Sequence, residues 1–305
     1  MAIKRTRRLI FKALSNPKYN IKKNYQLHRK VIVASRPYFK QFYKIIDRKL
    51  KVNGTASTIR IFSPKVKEDQ SLDIIVFFHG GGWVTGNIDS YSRICGNMAN
   101  VTKHTVISVD YRLAPEHPFP SGLEDCYYVV KLLSSKVKKE GKSRKIILAG
   151  DSAGGNLAAV VSLLARESGE FMPEKQILLY PSCNNDYSES SPFESVKLYG
   201  EDYILTRKRI SDYLDLYIED KEDLKSPLVA PLLAKDLSRQ PKTLIITAEF
   251  DPLRDEGEAY GMRLEEAGNT VLVKRIPNAL HGFLSLPKSS EIIEESYNYI
   301  NEFLN

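Results

Sequence analysis

The stretch Lys145-Ile-Ile-Leu-Ala-Gly-Asp-Ser-Ala-Gly-Gly155 decides the fold of this chain. Its apolar first half predicts a buried strand, and residues 153–168, which are rich in small side chains, predict a helix. Between them Gly150–Gly154 fit the pattern G-x-S-x-G, in which a sharp turn from strand to helix lifts the serine above the sheet. Glycines flank the serine because the turn is too crowded for side chains. The sequence therefore predicts Ser152 as a nucleophile.

Short apolar runs alternate with helical patterns on both sides of this turn. The predicted strands cover residues 59–62, 73–78, 105–109, 145–149, 176–180, 243–247 and 270–276. The predicted helices cover Gly122–Ser135, Ala153–Ser168, Glu256–Ala267 and Glu291–Leu304. This alternation predicts an α/β protein with a mostly parallel sheet covered by helices on both faces. Residues 59–62 alternate like an edge strand, whereas 73–78 form the continuous apolar run of a strand buried on both faces.

Two segments do not follow this rhythm. Residues 1–50 predict two or three helices. The roughly sixty residues before Thr243 contain no predicted strand, and a structureless loop of that length is unusual in one domain. We expect instead a helical insertion that includes Arg207–Ile218. The predicted organisation is N-terminal cap helices over 1–50, a catalytic domain over 51–305 and a cap insertion over about 184–225.

A second motif, His79-Gly80-Gly81-Gly82-Trp83, directly follows the predicted buried strand. Consecutive glycines at a strand end let the backbone approach a substrate and turn N–H groups toward it. Donors at the position where an oxyanion forms lower the barrier of acyl transfer. A tight turn without further role is the alternative, but it needs fewer glycines. We interpret His79 as a hydrogen-bonding residue that fixes the loop.

A serine hydroxyl needs an imidazole to take its proton, and a carboxylate to orient that imidazole. In the strand-turn-helix type of serine hydrolase the acid and then the histidine follow the serine. His281 is the only histidine that follows Ser152 in the sequence. The other histidines are His28, His79, His104 and His117. Asp251 stands at the exit of the predicted strand 243–247, with Asp255 as its main rival and Glu249 less well placed.

Five motifs occur in a characteristic order within residues 57–305. They are His79–Trp83, Asp110–Pro120, Gly150–Asn156, Asp251–Glu256 and His281–Phe283. In this combination the chain resembles the hormone-sensitive-lipase family of bacterial esterases, within the α/β-hydrolase superfamily. The resemblance implies an eight-stranded sheet with a helical cap, and hydrolysis of short-chain acyl esters without a cofactor. It also implies that the N–H groups of Gly81, Gly82 and Ala153 form the oxyanion hole, supported by His79 and Gly80.

The cap bears on substrate size. It carries four tyrosines: Tyr199, Tyr203, Tyr213 and Tyr217. Large aromatic side chains of this kind close a pocket rather than open a long groove. We therefore expect a preference for acetyl to butyryl esters.

The net charge of +8 is unevenly distributed. Residues 1–70 hold 19 Lys and Arg residues against three acidic ones. A solvated basic helix face is the simplest interpretation, and attraction to anionic lipid or anionic substrates is the alternative. The segment carries no nucleic-acid-binding motif, so we expect a small-molecule ester as partner and no nucleic acid. A homodimer is compatible with the sequence.

Cysteine usage and hydropathy bear on compartment. The three cysteines, Cys95, Cys126 and Cys183, are widely spaced and predict small buried side chains rather than a disulfide or a metal site. No apolar run approaches the ~20 residues that span a bilayer. The apolar stretch near the start is interrupted by Lys12, unlike a signal peptide. We expect a cytoplasmic protein without stable membrane insertion.

Two other functions are compatible with the same fold. A non-catalytic receptor of this family lacks the histidine, whereas this chain retains His281. An amidase or peptidase keeps all three residues of the triad, and the sequence does not exclude it.

Overall fold

The computed structural model describes residues 21–35, 44–52, 54–64, 72–141, 143–285 and 290–305. Its centre is a sheet of eight strands in the order β1-β2-β4-β3-β5-β6-β7-β8. The strands are β1 (Lys44–Val52), β2 (Thr55–Ser63), β3 (Ile74–Phe78), β4 (Thr105–Asp110), β5 (Ile146–Asp151), β6 (Lys175–Leu179), β7 (Lys242–Phe250) and β8 (Val271–Leu280). The second strand pairs antiparallel with β1 and β4, and the pairs from β4 through β8 are parallel. The predicted eight-stranded, mostly parallel α/β-hydrolase sheet is confirmed.

The described helices are α1 (Ile21–Ser35), α2 (Ser92–Thr102), α3 (Ser121–Lys139), α4 (Ala153–Ser168), α5 (Glu194–Tyr199), α6 (Arg207–Tyr217), α7 (Arg254–Glu266) and α8 (Glu291–Leu304). Five of them, α2, α3, α4, α7 and α8, cover the two faces of the sheet. Alternate residues of β3 show how the layers divide. Val76 packs with buried side chains of α3, α4 and α7, whereas Phe77 packs with those of α2 and α8. Successive side chains of a strand point to opposite faces of the sheet. Because both faces are covered, every residue of β3 is buried.

The N-terminal segment departs from the prediction. Residues 44–50 were expected to be helical, but they lie in β1, so the predicted boundary at residue 51 falls inside this strand. Ile45 packs against one face of the sheet and Leu50 against the other, which a strand allows. Residues 1–20 and 36–43 of the predicted cap helices lie outside the described residues.

Two further predictions were incomplete. Residues 59–62 were expected at the edge of the sheet, but β2 lies between β1 and β4. The strand β1 covers the edge that β2 would otherwise expose to pairing with other chains. Helix α2 was not predicted, although Ile94, Cys95 and Met98 recur at helical spacing and are buried.

The segment between β6 and β7 is helical. It contains α5, α6 and a short 3₁₀ turn over Lys221–Lys225. The N-terminal helix α1 packs beside α6, and Lys22 forms ion pairs with Asp212 and Asp215. In the part of the chain that the structure describes, none of the helices combines the length and apolar character required to cross a bilayer.

Candidate active site

Ser152 lies on the turn that joins β5 to α4. Its backbone has φ 55° and ψ −120°, a conformation that non-glycine residues rarely adopt. A Cβ atom at Gly150 would overlap the carbonyl of Gly154, and one at Gly154 would overlap the carbonyl of Phe78. The Ser152 N–H donates to the Leu179 carbonyl of the neighbouring strand at 2.9 Å. The strained turn predicted from G-x-S-x-G is therefore present, and it depends on these glycines.

Ser152, His281 and Asp251 form a continuous hydrogen-bonded row. Nε2 of His281 lies 2.9 Å from Oγ of Ser152, and Nδ1 lies 2.7 Å from Oδ2 of Asp251. Asp251 directly follows β7 and His281 directly follows β8, so the carboxyl ends of neighbouring parallel strands bring them together. The side chain of Asp251 is fully buried and that of His281 is 12% exposed. This arrangement can carry a proton from the serine hydroxyl to the imidazole.

The buried carboxylate of Asp251 is held from its own loop. Its Oδ1 accepts a hydrogen bond from the backbone N–H of Leu253 at 2.9 Å, which leaves Oδ2 for the imidazole. The ring of Tyr180 contacts the His281 ring edge-on, with centroids 5.0 Å apart. Both contacts fix the orientation of the imidazole, as an acid-histidine pair requires.

The rival carboxylates are directed elsewhere. Asp255 lies in the first turn of α7, where its Oδ2 accepts from the N–H of Ser195 at 2.7 Å. Its Oδ1 accepts from Nε of Arg254 at 2.7 Å. Glu249 accepts the N–H of Asn278 at 2.7 Å. The contacts of Asp255 join the insertion to α7, which is a structural role.

The glycine loop after β3 closes one side of the site. Gly81 and Gly82 have φ values of 124° and 61°, in the region that favours glycine. A Cβ at Gly81 would overlap the Thr85 carbonyl. Gly81, Gly82 and Ala153 line the same cavity as Ser152 and His281. The three predicted oxyanion donors are thus brought together with the serine.

A buried network that the sequence analysis missed ties the glycine loop to the serine turn. Asp151 accepts the N–H of Gly80 through Oδ1 at 2.8 Å and the hydroxyl of Tyr91 through Oδ2 at 3.0 Å. His79 is fully buried and stacks on Tyr111, with ring centroids 4.3 Å apart. The Tyr111 hydroxyl donates to the His79 carbonyl at 2.6 Å. These contacts agree with the interpretation of His79 as a residue that fixes the loop.

The cap and the loops enclose a cavity of about 550 Å³ over Ser152. Helix α1 contributes Ile32 to its wall, and the insertion contributes a larger set. The insertion residues are Ile204, Leu205, Arg209, Ile210 and Tyr213. The ring of Tyr213 occupies the space where a Cβ at Gly82 would lie. Most of the cavity surface formed by these described residues is apolar, which suits an uncharged acyl chain.

The four cap tyrosines have different roles. Tyr213 lines the cavity, and Tyr217 stacks on Trp83 with ring centroids 4.5 Å apart. Tyr199 packs edge-on against Tyr203 and against Phe250, and the Tyr203 ring stacks on Phe250 with centroids 6.3 Å apart. Of these four tyrosines, Tyr213 is therefore the only one among the described residues that line the cavity.

Helix α1 is attached to the loop that follows the glycines. Nε of Arg29 donates to the Val84 carbonyl at 2.7 Å, and Nη2 donates to the Ala114 carbonyl at 2.8 Å. The same guanidinium forms an ion pair with Glu116 at 2.9 Å. The N-terminal helix is thus linked to the backbone beside the candidate oxyanion hole. The sequence contained no periodic signal for these contacts.

A second buried carboxyl group lies behind Asp251, on the first turn of α7. Oε1 of Glu256 accepts from the N–H of Cys183 at 2.7 Å, the N–H of Asn184 at 3.2 Å and the hydroxyl of Tyr187 at 2.8 Å. Burial raises the pKa of the Glu256 carboxyl to about 8. This group therefore retains its proton at neutral pH, and it fixes the start of the insertion.

The cysteines are free and buried, as predicted: Cys95, Cys126 and Cys183. Among the described residues, no group of three or more His, Cys, Asp or Glu side chains could hold a metal ion.

Comparison with known proteins assigns the family. The profile described as alpha/beta hydrolase fold matches residues 75–285. An arylesterase of Saccharolobus solfataricus is 39% identical over 246 residues, which cover 80% of this chain and 78% of that protein. An ethyl acetate hydrolase of Pseudomonas putida is 33% identical over 248 residues, covering 80% and 76%. The chain belongs to the hormone-sensitive-lipase family of esterases.

Solved structures of other esterases agree with this membership. An esterase of Pyrobaculum calidifontis has a TM-score of 0.85 at 34% identity, covering 99% of this chain and 97% of the other. A thermostable esterase of Pseudomonas putida has a TM-score of 0.87 at 28% identity, covering 97% and 95%. This member of the hormone-sensitive-lipase family is a carboxylic ester hydrolase.

Proposed function

We propose that the enzyme hydrolyses short-chain acyl esters, acetyl to butyryl, through an acyl-enzyme formed on Ser152. The observation that supports this most directly is the row of hydrogen bonds from Asp251 through His281 to Ser152. Asp251 orients His281, which acts as general base and then as general acid. The N–H groups of Gly81, Gly82 and Ala153 stabilise the oxyanion, and His79 and Gly80 support their loop.

In the first half of the reaction, Oγ of Ser152 attacks the ester carbonyl carbon while its proton passes to Nε2 of His281. The carbonyl oxygen becomes an oxyanion near the N–H groups of the glycine loop and Ala153. Collapse of this intermediate breaks the bond to the alcohol oxygen, which takes the proton from His281. Donors preorganised for the oxyanion contribute about 3 kcal/mol each to such a step.

In the second half, a water molecule attacks the acyl carbon and gives its proton to Nε2 of His281. The second tetrahedral intermediate expels Oγ of Ser152, which recovers that proton. The carboxylic acid product leaves and the enzyme returns to its starting state. The buried carboxylate of Asp251 stabilises the imidazolium formed in each half without taking its proton.

The cap supports the preference for short acyl chains. Tyr213 fills the space over Gly82, and Leu205 and Ile210 add apolar walls on the same side. Each buried methylene adds about 0.8 kcal/mol only as long as the pocket has room for it. We expect turnover to fall beyond about six to eight carbons, where this gain ends.

The test of the nucleophile is Ser152→Ala, with Ser162→Ala as a matched control. Ser162 lies on the same helix α4 and donates to the Ala158 carbonyl. Loss of the nucleophile should lower kcat for p-nitrophenyl acetate by about 10⁶-fold, whereas the control should retain activity. An organophosphate adduct should map to Ser152 by mass spectrometry. An adduct on another residue, with activity in Ser152→Ala, would refute the assignment.

Substrate class is tested with two series on the purified enzyme. p-Nitrophenyl esters from acetate to palmitate give the chain-length preference, and p-nitroacetanilide gives the matched amide. We expect acetyl to butyryl esters to be turned over fastest and the anilide to be a poor substrate. Faster hydrolysis of palmitate than of butyrate would contradict the proposed pocket.

A further inference from the structure

We propose that the hydroxyl of Thr85 is a positioning group for the oxyanion hole, because it holds the peptide group that presents the N–H of Gly82. The inference rests on the proposed function and adds a residue to the same site. Thr85 follows the glycine loop, is buried, and lines the cavity that contains Ser152. Its Oγ1 lies 2.9 Å from the carbonyl oxygen of Gly81. A carbonyl oxygen cannot donate, so the hydroxyl is the donor in this bond.

The carbonyl of Gly81 and the N–H of Gly82 belong to one peptide group. This peptide bond is trans, and in a trans peptide the C=O and the N–H point in opposite directions. The groups that hold the carbonyl of Gly81 therefore lie on the side opposite to the one that the N–H of Gly82 faces. Fixing the carbonyl fixes the direction in which the proposed oxyanion donor points.

Three donors converge on the Gly81 carbonyl. Besides the Thr85 hydroxyl, the N–H of Thr85 donates at 2.9 Å and the N–H of Val84 at 3.2 Å. A Cβ atom at Gly81 would overlap the carbonyl of Thr85, so the chain folds back tightly at this point. Hydrogen bonds to a carbonyl polarise its peptide group and strengthen the N–H donor at the other end. The hydroxyl of Thr85 therefore acts on both the direction and the strength of the Gly82 donor.

The peptide group of the proposed donor Ala153 is held in a comparable way. Its carbonyl, that of Ser152, accepts from the N–H of Asn156 at 3.0 Å and from the N–H of Ser182 at 3.3 Å. Both of these donors are backbone groups, which a substitution does not remove. Thr85 contributes a side-chain donor, so its effect on the oxyanion hole can be measured by mutation.

Direct contact of the Thr85 hydroxyl with the reacting oxygen is the alternative. The hydroxyl has a single proton, which the bond to the Gly81 carbonyl uses. An ester carbonyl and an oxyanion only accept, so the hydroxyl would have to give up this bond to reach either of them. Thr85 therefore acts through Gly82 rather than on the substrate.

The experiment uses three variants. Thr85→Val removes the hydroxyl and keeps the branched shape, whereas Thr85→Ser keeps the hydroxyl. Thr102→Val makes the same change at a buried threonine of α2, whose hydroxyl donates to the Met98 carbonyl at 2.8 Å. We measure kcat for p-nitrophenyl acetate per active site, with the sites counted by organophosphate titration, so that misfolded protein does not enter the result.

Thr85→Val should lower kcat by about fivefold or more, as expected for the loss of one hydrogen bond between neutral groups. Acylation and deacylation both pass through an oxyanion, so kcat falls whichever step limits the rate. Thr85→Ser should recover most of this loss. Thr102→Val should retain the native kcat.

Two ketones separate positioning of the oxyanion donor from a general weakening of the site. The carbonyl carbon of 1,1,1-trifluoro-4-phenyl-2-butanone accepts Oγ of Ser152; its oxygen becomes an oxyanion, and the serine proton passes to His281. 4-Phenyl-2-butanone has the same shape without the activating fluorines and binds as an intact ketone. Thr85→Val should raise the Ki of the fluorinated ketone by about fivefold and that of the other ketone by less than about twofold.

The inference is overturned if Thr85→Val keeps kcat within about twofold of the native value, or if Thr85→Ser recovers none of the loss. Equal weakening of both ketones would overturn it as well, and so would an equal loss of kcat in Thr102→Val. Failure of the proposed function would differ, because the native enzyme would then not hydrolyse p-nitrophenyl acetate and would bind both ketones equally.

Discussion

The carboxylate of Asp151, one residue before the candidate nucleophile, accepts a hydrogen bond from the backbone N–H of Gly80 at 2.8 Å. The two residues are 71 positions apart in the chain. Their contact joins the serine turn to the glycine loop, so the candidate nucleophile and oxyanion donors are held in one unit. Tyr91 donates to the other oxygen of the same carboxylate.

Replacing Asp151 should therefore act on kcat more than on KM. Asp151→Ala leaves the buried N–H of Gly80 without its acceptor, and we expect kcat to fall by about 10- to 100-fold, less than for outright loss of oxyanion donors. Asp151→Asn keeps one oxygen and should recover part of the loss. Tyr91→Phe is the control that retains the bond to Gly80. An increase in KM at constant kcat would contradict a positioning role.

Substitutions at Asp251 and at Asp255 should affect different properties, activity for Asp251 and stability for Asp255. Asp251→Asn should lower kcat by roughly 10⁴-fold, because the imidazole loses the partner that fixes its tautomer. Asp255→Asn weakens the contacts with Ser195 and Arg254, so it should lower the free energy of unfolding by about 1 kcal/mol while retaining activity. Steady-state kinetics and urea denaturation of both variants measure this. Reversed effects would make Asp255 the acid.

The buried carboxyl group of Glu256 should make stability depend on pH. Its pKa is raised from 4.5 to about 8 in the folded protein, so between these values the folded state holds a proton that the unfolded state has lost. Its contribution to stability is complete below the unfolded value and is lost as pH rises to about 8. The slope is at most about 1.4 kcal/mol per pH unit.

Glu256→Gln tests this slope because an amide does not titrate in this range. Denaturation of the native enzyme and the variant at about pH 5.5 and 8.5 gives the difference in unfolding free energy at each pH. We expect the free energy of unfolding of the variant, relative to that of the native enzyme, to be higher at about pH 8.5 than at about pH 5.5. Glu258→Gln on the same helix is the control. A difference that is constant across the range would show that Glu256 does not titrate as described.

Tyr213 should limit the length of the acyl chain. Tyr213→Ala removes the ring that lies over Gly82 and should shift the preference from butyryl toward octanoyl esters. The gain cannot exceed about 0.8 kcal/mol, or roughly fourfold, for each additional methylene that becomes buried. Tyr203→Ala is the same truncation at a cap residue that packs on Phe250. An unchanged chain-length profile in Tyr213→Ala would remove this residue from the acyl pocket.

Arg29 should couple the N-terminal helix to activity. Arg29→Met removes the bonds to the carbonyls of Val84 and Ala114, so α1 should pack less firmly over the site. We expect lower kcat and weaker chain-length selectivity, because Ile32 on the same helix forms part of the cavity wall. Lys30→Met, at an exposed position of α1, is the control. Equal effects in both variants would indicate a general loss of charge rather than the loss of this contact.

Local sequence signals predicted much of the fold. Helix α4 was predicted with its observed bounds, Ala153–Ser168, because the G-x-S-x-G turn marks its start and Gly169 ends it in a left-handed conformation. Strand β1 was missed because Asp47, Arg48 and the lysines around Leu50 dilute its alternation, and its pairing with β2 determines its structure.

The candidate site was less evenly predictable. Ser152, Asp251 and His281 could be selected from the order of residue types and strand ends, and the structure brings their side chains together. Asp151 and Arg29 could not, because their partners lie far along the chain or on backbone atoms whose positions depend on the folded structure. A residue type and its spacing carry no information about such contacts.

At Ser152, whose φ is 55°, the backbone conformation that the turn requires lowers the stability of the folded protein. A non-glycine residue in a rarely populated backbone conformation costs on the order of 1–3 kcal/mol, and the surrounding glycines and strands must hold it there. Alanine at position 152 keeps this strain, whereas glycine relieves it. The enzyme would thus be more stable with a glycine at position 152 than with the candidate nucleophile. Selection for thermal stability without an activity screen would therefore favour glycine at position 152, and the candidate nucleophile would be lost.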